Sequence, residues 1–319
     1  MLTHRTRGIL LAPAVSAILL AVWAGPALAQ RGDQNTVLLE ADRAYYQGNL
    51  DRSLELYEKA VQQDPKDASA HMSLGITYAE KADYERALLA LERSAQLRPK
   101  NAEVHINLAL VYMEKGETQQ ALTHAQQAVA LDAARSSAHH TLGLVYEGSQ
   151  ETPRAIEAYR RGLRADPKDS DLWLTLGNLH SRERRLDEAA EAYRSAIAAD
   201  PENVYAYSNL AYVLQEKGEP AKAIEYLTQA ATREPKDPVA WYDLGAAYWR
   251  QDDVDKAIEC YQKSLKAQPS SYKACLSLAM AYEKKRDLEK AAEYYTKALS
   301  LTEEPKLKEA ILRQITRNG

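Results

Sequence analysis

Three histidines, His71, His105 and His139, stand 34 residues apart. Imidazoles at a fixed interval could ligate a metal, because neutral imidazole nitrogen binds zinc at about 2.0–2.1 Å. An interval this long puts them on successive structural units, and packed helices lie about 8–10 Å apart. The rings would have to converge to share one ion, so the reading is no metal site and no cofactor. His139 and His140 are adjacent and point differently on a helix. Cys260 and Cys275 are the only thiols. A bridge needs Cα atoms roughly 4.4–6.8 Å apart, which helix neighbours meet only in some geometries. Two separate, half-buried thiols are expected. The paired carboxylates Asp252-Asp253 and Glu303-Glu304 could in principle share a proton, but they sit where helices start and chains turn. Ser73, Thr175 and Ser277 lie on helix faces rather than on a strained nucleophile elbow, and no glycine-rich phosphate loop is present. The chain is therefore expected to be non-catalytic.

The elements that carry these residues follow from one stretch, Pro238 to Ser271. Trp241, Leu244, Gly245 and Tyr248 fall on one helical face at i, i+3, i+4 and i+7. Asp252-Asp253 break the pattern. Ala257, Ile258, Tyr261, Ser264 and Leu265 form a second face that ends before Pro269. Neither stripe can be buried alone, so the hairpin needs neighbours.

The neighbours recur. Prolines stand at 65, 99, 167, 201, 235 and 269, with Ala133 in the one missing place. Leu74-Gly75, Leu108-Ala109, Leu142-Gly143, Leu176-Gly177, Leu210-Ala211, Leu244-Gly245 and Leu278-Ala279 repeat in the first helix. Ser53, Ala87, Ala121, Ala155, Ala189, Ala223, Ala257 and Ala291 repeat in the second. Small residues at these two places let antiparallel helices approach. Tyr57, Tyr159, Tyr193, Tyr261 and Tyr295 are expected to fill the gap to the next hairpin. On these residues the chain resembles a tetratricopeptide-repeat protein. The resemblance implies an all-α fold, a right-handed superhelical α-solenoid of eight 34-residue repeats over 34–305, closed by a C-terminal capping helix and tail over 306–319. Leu307, Ala310, Ile311 and Ile315 are expected on that helix's apolar side.

Hydrophobic residues make up 45% of the chain, which suits a stacked core, and Tyr (20 residues) takes the aromatic places in the absence of Phe. The net charge of −4 argues against a nucleic-acid partner, which would call for a basic face. Residues 1–29 read as a secretory signal: His4, Arg5 and Arg7, then the apolar run Gly8 to Val22, then Ala27-Leu28-Ala29. An uncleaved inner-membrane anchor is the alternative, although Pro13, Ser16 and Gly25 interrupt the run. Residues 30–33 form a polar lead-in. The expectation is an exported protein of the bacterial periplasm, with no membrane contact after cleavage.

With each repeat numbered from Gln34, Ala68 and onward in steps of 34, the resemblance implies that places 2, 5, 6, 9, 12 and 13 line a concave groove. In the first four repeats this nominates Met72, Ile76, Asn107, Leu110, Glu114 and Leu144, an apolar and acidic stretch. In the last four it nominates Asn178, Asn209, Tyr212, Tyr242, Trp249 and Arg250, an aromatic and partly basic one. Places 2 and 6 lack the Lys, Arg and Asn pattern with which chaperone-adaptor relatives hold a C-terminal carboxylate. The expected partner is another protein or an extended peptide. An accessory role in an envelope assembly for secretion or polysaccharide export, and a self-assembling homo-oligomer, are the alternatives.

Overall fold

The structure, a computed structural model, describes residues 36–318. The expected leader, the lead-in and Gly319 lie outside the described residues. Seventeen helices, and no strand, occur among those described. Two compact units divide between Leu172 and Trp173.

In the first unit, α1 (Thr36–Tyr46) pairs with α2 (Leu50–Gln63), and α3 (Ala68–Glu80) with α4 (Tyr84–Leu97). α5 (Ala102–Glu114) pairs with α6 (Thr118–Leu131), and α7 (Ser136–Gly148) with α8 (Thr152–Ala165). α9 (Ser170–Arg182), whose first three residues belong to the first unit, leads into α10 (Leu186–Ala199) in the second. α11 (Val204–Glu216) pairs with α12 (Pro220–Arg233), α13 (Pro238–Arg250) with α14 (Val254–Ala267), and α15 (Tyr272–Lys284) with α16 (Leu288–Leu301). α17 (Pro305–Asn318) packs on α16. Leu307, Ile311 and Ile315 make that contact, with Ile311 buried. Ala310, expected beside them, is exposed, because the buried stripe of this helix is narrower than the pattern suggested.

Each hairpin closes by the same device. Place 15 has a left-handed backbone in all eight repeats: Gly48, Ala82, Gly116, Gln150, Arg184, Gly218, Asp252 and Arg286. The N–H of the next residue then donates to the carbonyl at place 11, as in Glu117 to Tyr112 at 2.8 Å and Asp253 to Tyr248 at 3.0 Å. These bonds satisfy carbonyls that a helix end leaves open. In the fourth repeat Gln150 takes the turn, while Gly148 ends the helix before it. First helices start on side-chain caps, with Asp67, Asn101, Asn203, Asp237 and Ser271 accepting from the opening backbone N–H groups. Asn49, Asp83, Asp253 and Asp287 do the same for second helices.

The core runs between the helices of each pair and on into the next pair; in the second unit one buried cluster joins Tyr193, Leu210, Leu227 and Leu244. Place 20 is fully buried in every repeat from Ser53 to Ala291. The Tyr at place 24 lies against the first helix of its own hairpin. A Cβ on Gly143 would fall 2.2 Å from Tyr159 Cε1, and one on Gly245 2.7 Å from Tyr261 Cδ1. Glycine at place 8 thus makes the seat for the ring. First helices also touch one another directly, α3 with α5 and α5 with α7 in the first unit and α11 with α13 in the second. No helix among the described residues is long and apolar enough to cross a membrane.

Candidate partner-binding face

Polar groups on the first helices are largely drawn into the scaffold. Place 24 tyrosines donate their hydroxyls to first-helix acceptors: Tyr57 to Asp42 at 2.5 Å, Tyr159 to Glu147 at 2.8 Å, Tyr193 to Asn178 at 2.8 Å, and Tyr295 to Glu283 at 2.5 Å. Burial pushes the Tyr193 and Tyr295 hydroxyls well above the usual phenol range, so they stay protonated donors. Asn178 Oδ1 also accepts from Asn209 Nδ2 at 2.9 Å. Asn107 Nδ2 donates to the Glu103 carbonyl at 3.0 Å within its own helix. Tyr45 donates to Glu80, whose carboxyl is raised by burial.

The twelve nominated residues accordingly divide by exposure. Met72, Ile76, Asn107, Leu110 and Leu144 are buried in the first unit, and Asn178 and Asn209 in the second. Their side chains belong to the packed interior, where period arithmetic could not separate floor from surface. Glu114 and Arg250 are exposed, and Tyr212, Tyr242 and Trp249 are half-buried. Tyr212 packs on the cluster around Leu210 and Leu214, and Tyr242 and Trp249 pack on the cluster around Tyr261 and Leu278. The Tyr242 ring lies 5.5 Å from that of Tyr261, and its hydroxyl accepts from Ser277 Oγ at 3.3 Å. Lys284 Nζ stands 4.7 Å over the Trp249 ring and pairs with Asp252. Tyr205 and Met280, at 52% and 44% exposure, extend the accessible surface of α11 and α15. Each aromatic is thus anchored by packing and stays partly exposed, which suits ring contacts with a partner.

Two of the spaced histidines tie a first helix to the turn before it. His71 Nε2 lies 3.1 Å from the Pro65 carbonyl and His139 Nε2 lies 3.1 Å from the Ala133 carbonyl. Trp241 Nε1 donates to Pro235 at 3.0 Å in the same place. Histidine therefore stands in for the indole N–H that ties a first helix to the preceding turn. His105 instead meets His124, with Nδ1 atoms 3.1 Å apart and Tyr112 stacked on His124. Among the described residues, no group of three or more His, Cys, Asp or Glu could hold a metal ion. Cys260 and Cys275 are unbridged and buried, and burial pushes the Cys260 thiol up to about 11.

A second ladder was missed in the sequence although its interval is the same. Lysine at place 14 pairs with an acid at place 18 of the preceding repeat. The pairs are Lys81 with Asp51, Lys115 with Glu85 at 3.5 Å, Lys217 with Asp187 at 2.5 Å, and Lys285 with Asp255. Where the lysine is replaced by Ser149, Glu183 or Gln251, the acid is replaced too, by Gln119, Pro153 or Ala221.

No curated protein matches the sequence. Among solved structures, the chain is similar in fold to the Pseudomonas aeruginosa pilF protein, at 21% identity and a TM-score of 0.54, covering 67% of this chain and 97% of that one. It is similar to yeast Tom70 at 16% identity and 0.65, covering 95% and 69%. It is similar also to the APC/C hetero-tetramer Cut9-Hcn1 at 18% identity and 0.52, covering 89% and 56%. The sequence profile of the cytochrome c-type biogenesis protein H TPR domain matches residues 158–267. With the tetratricopeptide-repeat profile matching 38–102, 75–140, 106–170 and 242–305, on the hairpins just described, the chain belongs to the tetratricopeptide-repeat family.

Proposed function

We propose that this protein is a non-catalytic scaffold that binds an extended peptide or a surface of another protein on its first helices, after export to the bacterial periplasm. The observation that carries the reading is the second unit's set of half-buried aromatics, Tyr212, Tyr242 and Trp249, each fixed by packing and partly exposed. Rings ordered in advance lose little freedom on binding, and aromatics dominate interface energies. The basic, then apolar, then small-residue order of residues 1–29 supports export. An accessory role in an envelope assembly is a second reading. It is supported by the match of 158–267 to a cytochrome c biogenesis profile.

The test starts from partners recovered by crosslinking in intact cells. Tyr212→Ala with Trp249→Ala should weaken the recovered partner about tenfold or more in calorimetry, with the helical signal retained. Unchanged affinity in a folded double variant would refute the assignment of this face.

A further inference from the structure

Tyr205, Val239 and Lys273 share place 2 of the last three repeats. All three are exposed, Tyr205 at 52% and Val239 at 39%. They stand on α11, α13 and α15, successive first helices of one unit. α11 packs directly on α13. α13 meets α15 through the Tyr242 hydroxyl and Ser277 Oγ, 3.3 Å apart. Val239 lies one turn before Tyr242, and Lys273 one turn before Ser277, so the two flank that contact. The three side chains thus form a row across the helices: aromatic, then aliphatic, then cationic.

Spacing selects what can lie along this row. Packed helices stand about 8–10 Å apart. A β-strand returns a side chain to the same side every second residue, at about 6.6 Å and then about 13 Å, and so misses that interval. An α-helix brings one face back every seventh residue, at about 10.5 Å, wider than the row. A polyproline II segment has three residues per turn and rises about 3.1 Å per residue, so residues three apart face one way at about 9.3 Å. That interval matches. Aromatic-lined grooves also suit proline-rich segments of this kind. Lys273 sets the charge of the occupant. Its side chain has no ion-pair or hydrogen-bond partner among the described residues, whereas Lys284 on the same helix is held by Asp252. A carboxylate is its complement.

We infer, resting on the scaffold reading above, that this row docks a polyproline II segment of the partner. Apolar residues, proline foremost, cover Tyr205 and Val239, and an acidic residue meets Lys273, each three positions from the next.

The probes are acetyl-Pro-Pro-Pro-Pro-Pro-Pro-Glu-Pro-Pro-amide and its reversed sequence, since the row fixes a spacing and not a chain direction. Titrated into the full chain by calorimetry, at least one should bind saturably. Serine in place of the prolines three and six residues from the acid should weaken it about tenfold, and serine at the two prolines beside those should be near neutral. Lysine in place of the acid should weaken it about fivefold at low salt, the scale of one exposed ion pair lost and one repulsion gained. Lys273→Glu should invert the order of the Glu and Lys peptides with circular dichroism unchanged. Lys273→Gln, in which the two should bind alike, decides the matter if the reversal fails to fold. No saturable binding in either direction, equal loss from both serine pairs, or an order of Glu and Lys peptides that survives in the folded Lys273 variant overturns the proposal. The Tyr212 and Trp249 double variant can still lose the crosslinked partner while the proline peptides fail, and then this inference alone falls. Saturable peptide binding with an unaffected crosslinked partner counts against the face assignment above instead.

Discussion

Replacing Ala82 by glycine should stabilise the protein. Ala82 holds φ at 58°, where its Cβ crowds the backbone, whereas Gly116 holds the equivalent place at 75°. Left-handed backbone costs an L-residue roughly 1–2 kcal/mol. Glycine gives back about 0.4–1 kcal/mol through the greater freedom of the unfolded chain. The expected net gain is about 0.5–1 kcal/mol. The mirror experiment is Gly116→Ala. A Cβ there meets nothing within 4 Å, so its cost is purely conformational and should be about 0.5–1 kcal/mol of lost stability. Asp252, at 65°, is the control. Aspartate tolerates this conformation better than alanine, and this one also pairs with Lys284, so Asp252→Gly should bring no gain. Urea unfolding followed by circular dichroism gives the midpoints, and hydrogen exchange localises each change to the altered hairpin, as stacked repeats require. A lower midpoint for Ala82→Gly with Gly116→Ala unchanged would refute the turn argument.

The ring seat and the buried imidazoles give two further expectations. Gly143→Ala places a methyl 2.2 Å from Tyr159 Cε1 and should cost about 1–3 kcal/mol by overpacking, read as a urea midpoint well below that of Gly116→Ala. Burial holds His105 and His124 below the usual imidazole range. The unfolded chain then takes up protons first as the pH falls. Stability from this pair is complete above the unfolded value of about 6.5 and declines as pH drops through it. Thermal midpoints should fall between pH 7.5 and pH 5, and fall less in His124→Asn; a pH-independent midpoint would count against the pair.

The fold was legible because the hydrophobic period, the small residues at places 8 and 20 and the prolines all report local backbone and packing demands. Every hairpin reads directly from them. The face was legible only in part. Period arithmetic places Ile76, Leu110 and Tyr212 alike at place 9, yet the first two are buried and the third is half-exposed. Asn178 looked like a ligand group, but its amide is taken by Tyr193 and Asn209. Side-chain reach across helices decides such cases, and a one-dimensional interval does not encode it. The lysine rungs, the left-handed place and the tie from His71 to Pro65 were open to the same arithmetic that found the prolines. Each reads as a solvent-facing charge or a turn residue until two repeats are laid side by side.

The lysine rungs also set rules for gaining or losing repeats. Excising 68–101 from the gene would bring Asp51 opposite Lys115 and so keep an acid–lysine rung at the new seam. Excising 204–237 would set Asp187 against Gln251 and lose the rung at the new seam. Duplication and recombination therefore keep the rung at some splice points along this chain and lose it at others, a difference of up to about 1 kcal/mol for such exposed pairs.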